Sequence, residues 1–144
     1  MLCASLQFAK MTFVILLVYR PSFFWEPEAF FVEFPTVLEA HVIHTCPILI
    51  TGDSILKLHD RIHADYIKFK AVLDSFGLVQ LVTGPTHIKR ETLDIVVVRL
   101  NLKTPDVHVF MPEISDHSLL EVHMPCCKPA AVPVLFKRRA WGPV

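Results

Sequence analysis

Three acids and a histidine carry the chemistry that this chain can offer. Asp53 follows Gly52 at the end of the apolar run 48–51, Asp94 stands near the start of the run 93–100, and Asp116-His117 lies between a proline-bounded loop and the run 118–122. A histidine in such a place gives or takes a proton near neutral pH. Carboxylates at strand ends together with a histidine are the equipment of metal-assisted hydrolysis, in which a cation and a base activate water against a phosphate. The same letters also serve structure alone, Ser115 and Asp116 turning the chain and His117 packing at a strand end. Which reading holds depends on the elements that bring these residues together.

Hydrophobic patterning places strands at 13–18, 48–51, 78–82, 93–100, 107–110 and 118–122, the last expected to be buried. Glu26-Pro27-Glu28 reads as a helix start, with proline in the first turn and acids facing the helix dipole. Phe30, Phe31, Phe34, Leu38 and Val42 then fall at helical spacing, with Pro35 expected to kink or interrupt the helix. A second helix opens at His59 and His63 and carries Ile62, Tyr66, Phe69, Leu73 and Phe76 until Gly77 stops it. Neither this histidine pair nor His41 with His44 has a third ligand nearby in sequence, so both read as helix surface. Residues 84–87, Gly-Pro-Thr-His, form a turn rich in breakers; the following loop puts Lys89-Arg90 beside His87, the best local candidates for touching a DNA backbone.

At 144 residues, with 53% hydrophobic and 19% charged side chains, the chain suits one domain with a buried core rather than a disordered one. Fourteen basic residues balance fourteen acidic ones, so no global field draws in nucleic acid and any contact must be a local patch. The four cysteines, Cys3, Cys46 and the pair Cys126-Cys127, form no Cys-x-x-Cys and suit a reducing compartment. The apolar run 11–18 is too short to span a bilayer and lacks a small-residue cleavage site before Tyr19-Arg20-Pro21. It reads as a central strand; a secreted or membrane-associated peptide is the weaker alternative.

Gly52-Asp53, residues 84–87, Thr92-Leu93-Asp94 and Ile114-Ser115-Asp116-His117-Ser118, in this order and spacing, resemble the endonuclease/exonuclease/phosphatase family. The closest look is to the endonuclease domain of vertebrate non-LTR retrotransposons, which precedes a reverse transcriptase, and it runs from about Phe13 to Trp141. The resemblance implies DNA as substrate and Mg²⁺ as cofactor. It implies that His117 is the catalytic base, that Asp94 holds its tautomer and orientation, and that Asp53 orients or deprotonates the attacking water. It further implies that Tyr19 approaches the scissile phosphate, and that Asp116 with Asp53 is what remains to hold the metal.

Two departures stand against the family's pattern. Ile55 occupies the place of an asparagine that hydrogen-bonds the phosphate, and isoleucine offers neither donor nor acceptor; nothing upstream of Phe13 matches the family's Asn or metal-binding Glu. The expectation is an α+β protein, a partial four-layer α/β/β/α deoxyribonuclease-like sandwich with its first strands missing, over residues 1–124. A Pro-rich, basic tail follows at 125–144. The implied function is a retrotransposon-derived, DNA-nicking phosphodiesterase domain with weak or no activity; the alternative is a non-enzymatic remnant or protein-binding module. No membrane is expected, the location is read as intracellular, in nucleus or cytoplasm, and the truncated sheet is expected to self-associate or take a protein partner.

Overall fold

Side-chain alternation decides which face of each strand is dry. In β2 (Met11–Tyr19) the residues Val14, Leu16 and Val18 are buried, in β3 (Ile48–Asp53) Ile48 and Ile50, and in β5 (Asp94–Arg99) Ile95 and Val97. These join one core with Phe34 and Leu38 of helix α1 (Pro27–Val42) and Phe69 and Leu73 of helix α2 (Ala64–Ser75), the Phe34 and Phe69 rings stacking at 5.8 Å. Both helices therefore cover the same face of the sheet. The computed structural model describes residues 2–8, 11–20, 27–42, 46–99, 103–112 and 114–125.

The five-stranded sheet has the order β1-β2-β3-β5-β4, with β1 spanning Leu2–Phe8 and β4 spanning Leu78–Gln80. Only β2 and β3 are parallel, and α1 supplies the crossover that a parallel pair requires. β6 (Asp106–Phe110) and β7 (Leu119–His123) form a separate antiparallel pair. The result is a mixed α+β protein. Among the described residues no helix is long and apolar enough to cross a membrane.

Three expectations are corrected and one element is added. The run 118–122 is not a buried strand: β7 alternates between exposed and half-buried positions, and Leu119 is 67% exposed, because its neighbour is β6 rather than the main sheet. Pro35 neither stops nor splits α1, whose helix continues through it. Phe34 and Leu38 are anchored in the core on either side of the proline, and the Thr36 hydroxyl donates to the Val32 carbonyl at 3.1 Å beside the missing amide. His59 and His63 do not open α2 as a facing pair: His63 is its N-cap, its Nδ1 accepting the Asp65 amide at 3.2 Å, and His59 lies in the preceding turn. The sequence reading assigns no element to the first ten residues; β1 pairs there with β2 along its length, from Leu2 opposite Leu17 to Phe8 opposite Met11, so that edge of β2 is covered. Cys3, Ala4 and Ser5 of β1 are exposed, which is why no apolar alternation announced it. His44 and the tail 126–144 lie outside the described residues.

Candidate functional site

Strand register assembles the first part of the site. Tyr19 pairs with Asp53 in the parallel β2–β3 ladder, and Asp53 pairs with Asp94 in the antiparallel β3–β5 ladder, so the three form one row at one end of the sheet. Gly52 makes that row close-packed. Its φ is +131°, and a Cβ there would lie 2.0 Å from the Val18 carbonyl oxygen, so no other residue lets β3 pass β2 at this point. Beyond Asp53, Ser54 is fully buried and both its amide (2.9 Å) and its hydroxyl (2.8 Å) donate to the Leu93 carbonyl, tying the loop to the start of β5.

The second part is built by Thr86. Its buried hydroxyl oxygen accepts the amides of Leu93 at 3.0 Å and Asp94 at 3.1 Å, and its carbonyl accepts the Ser118 amide at 2.7 Å. One residue thus holds the strand that carries Asp94 against the loop that carries His117. The Ile88 amide donates to the Asp116 carbonyl at 2.8 Å, and His87 and His117 face each other across an antiparallel bridge with ring centres 5.1 Å apart. Sequence reading placed Thr86 in a turn and missed its role, since a threonine between breakers carries no sign that its hydroxyl will be enclosed.

His117 sits at the junction. Its Nδ1 lies 3.0 Å from Asp94 Oδ2, so Nδ1–H donates to the Asp94 carboxylate and the lone pair is left on Nε2, which faces Asp53 Oδ2 at 3.9 Å. The Ser115 hydroxyl locks the loop by accepting the His117 amide at 3.1 Å and donating to the His117 carbonyl at 3.0 Å. Partial burial of His117 opposes its protonation, but the hydrogen bond to Asp94 and the charges of Asp94, Asp53 and Asp116 outweigh burial and raise its pKa. Burial likewise pushes the Asp53 carboxyl up, helped by the charge of Asp94 and opposed by the Ile55 amide, which donates to Asp53 Oδ1 at 3.1 Å. A base of raised affinity beside a carboxylate is suited to taking a proton from water.

The remaining residues that the sequence singled out fall around this centre unequally. Asp116 does not join Asp53: its side chain is 66% exposed, its Oδ2 lies 3.3 Å from His87 Nε2, and its own amide and His87 hold its pKa below the usual carboxylate value. Lys89 and Arg90 are exposed on the turn that follows His87, Arg90 with φ of +62°, and the Lys89 amide donates to His87 Nδ1 at 3.3 Å. Tyr19 is 71% exposed at the end of β2. Ile55, with φ of +48°, brings an apolar side chain to the loop after Asp53. An apolar groove lined by Phe110, Met111, Ile114 and Leu119 runs beside His117. A larger cleft between α2 and β4, lined by His59, Tyr66, Lys70, Gln80 and Thr92, contains none of Asp53, Asp94, Asp116, His87 and His117.

A hard dication such as Mg²⁺ asks for six oxygen ligands and is usually held by one or two protein carboxylates. Among the described residues the one cluster whose ligand atoms all lie within 4.8 Å of one another is His87, Asp116 and His117, two imidazoles and a single carboxylate. One oxygen of Asp53 is already committed to the Ile55 amide. This donor set does not suit Mg²⁺. No protein-family model matches the chain, and no curated protein matches it significantly.

Proposed function

We propose that the chain is a retrotransposon-derived, endonuclease-like domain built for phosphodiester bonds in DNA, with weak or no activity. The observation that carries this reading is the 3.0 Å contact between His117 Nδ1 and Asp94, with Nε2 turned towards Asp53. In this reading Nε2 takes a proton from a water that Asp53 orients, the water oxygen bonds to phosphorus as the P–O bond to the leaving group breaks, and the departing alkoxide takes a proton from solvent. Tyr19, His87, Lys89 and Arg90 surround the same sheet end and contact the DNA backbone. The finer architecture we propose is a partial four-layer sandwich, in which the helix-covered sheet is one half and β6–β7 belong to the other. The proposed location is intracellular, and the sheet face away from the helices, where Leu17 is 43% exposed, is the surface for self-association or a protein partner.

One observation favours a second reading, a non-enzymatic binding module: Ile55 gives the loop after Asp53 no side-chain donor for a phosphate. Loss of one such donor typically costs about 10²–10³ in rate. Supercoiled-plasmid nicking, with and without Mg²⁺, separates the readings. The wild type is expected to nick barely or not at all, and Ile55→Asn to nick measurably in a manner that His117→Ala abolishes. An Ile55→Asn protein that remains folded and inert favours the binding module, and robust wild-type nicking that survives His117→Ala contradicts the assignment.

A further inference from the structure

The three donors that fail to make a Mg²⁺ site make a different one. We propose that His87, His117 and Asp116 bind Zn²⁺, and that the bound ion takes the Nε2 lone pair on which His117 depends as a base. The site itself stands on geometry; only its silencing effect rests on the phosphodiesterase reading above. Zn²⁺ accepts imidazole nitrogens and carboxylate oxygens at about 2.0–2.2 Å in a tetrahedron, which puts neighbouring ligand atoms about 3.3 Å apart. His87 Nε2 and Asp116 Oδ2 are already separated by 3.3 Å, and one atom from each of the three residues lies within 4.8 Å of the others. From a separation of at most 4.8 Å, shifts of about 1.5 Å or less bring the three ligand atoms to that spacing.

The surroundings of the two rings supply an independent argument. Metal-binding histidines characteristically give their other ring N–H to a carboxylate, which fixes the tautomer and strengthens the ligand. His117 has Asp94 on Nδ1 at 3.0 Å, and His87 has Glu91 beside Nδ1 at 4.0 Å. Each ring thus carries an acid on its Nδ1 side. Without metal, His87 Nδ1 accepts the Lys89 amide and its Nε2–H donates to Asp116. Binding moves the Nε2 proton to Nδ1, 4.0 Å from the Glu91 carboxylate that balances its charge, while the solvent-exposed turn leaves the Lys89 amide to water. Imidazoles with one carboxylate favour Zn²⁺ over Mg²⁺ by ligand softness, so millimolar Mg²⁺ does not compete.

The test is a Zn²⁺ titration of the full chain, stripped with EDTA, against a chromophoric chelator. One tight equivalent is expected, insensitive to Mg²⁺. Glu91→Gln weakens it about 10- to 100-fold, and Asp116→Asn and His87→Ala weaken it further. His123→Ala, at a second histidine-rich spot where His123 Nε2 meets Glu121 at 2.9 Å, leaves it unchanged. Because Asp116 is exposed, Asp116→Asn tests the site even if His87→Ala does not fold. Absence of a tight equivalent, its persistence in Asp116→Asn, or its loss in His123→Ala overturns the proposal. None of these readings requires DNA cleavage, so a chain that never cuts DNA still decides the zinc site.

Discussion

The helix-covered sheet and the β6–β7 hairpin contribute to one site under opposite conditions. Asp53 and Asp94 stand at the end of strands whose Ile50, Ile95, Val96 and Val97 are fully buried, so their backbone is fixed by core packing. Asp116 and His117 stand on the loop that joins the two strands of the hairpin, in which Val109, Phe110 and Leu119 are exposed. That loop is fixed by hydrogen bonds to Thr86, Ile88 and Ser115 rather than by apolar burial. The acids are therefore placed by the core and the base by a few polar contacts, so damage to each half should look different.

The largest effect is expected at Gly52. Gly52→Ala drives a methyl group into the Val18 carbonyl in a backbone conformation that L-residues avoid, and chemical denaturation should show a loss beyond about 4 kcal/mol or no folded protein. A near-neutral result would mean that β2 and β3 separate easily at the row carrying the site. Next comes Thr86→Val, which leaves the Leu93 and Asp94 amides without their acceptor in a buried place, at about 1–3 kcal/mol for each unsatisfied group. Thr86→Ser should restore most of it. If Thr86→Val is silent, the two halves are not joined through this hydroxyl. On the hairpin, Leu119→Ser should change stability by no more than about 0.5 kcal/mol, since the side chain is exposed; a large loss would reveal a covering surface.

These contrasts also explain what could be read from the sequence. The apolar runs at 13–18, 48–51 and 93–100 were legible because burial on one or both faces leaves long hydrophobic stretches, and Asp53, Asp94 and His117 were legible as polar residues at their ends. β1 was not, because exposed Cys3, Ala4 and Ser5 break no pattern and its partner is set by a hairpin with β2. The burial of β7 was overestimated because its leucines and valine look the same whether a second layer covers them or not. The pairing of Asp116 with His87, rather than with Asp53, depends on the 87–117 bridge, a contact between residues thirty apart that no local spacing encodes.

The smallest effect is expected from pH. Because the folded pKa of His117 is raised, its contribution to stability is fully present below its unfolded value and is lost as pH rises through the folded value. Asp53, also raised, acts in the same direction at lower pH, whereas the lowered Asp116 loses its contribution as pH falls through its folded value. In EDTA, urea midpoints should therefore decline modestly from mildly acidic to alkaline pH, and Asp94→Asn should flatten the slope. A midpoint that rises over this range contradicts the charge arrangement around His117.

The claim on which everything else rests is that Asp94 fixes His117 as an Nδ1–H tautomer with a free Nε2. A long-range ¹⁵N–¹H correlation spectrum of the metal-free protein, at a pH where the ring is neutral, measures this directly. The account predicts that His117 shows a protonated Nδ1 and an unprotonated Nε2, and that Asp94→Ala returns the ring to a mixture of tautomers. A neutral His117 protonated at Nε2, or a tautomer indifferent to Asp94→Ala, would contradict it.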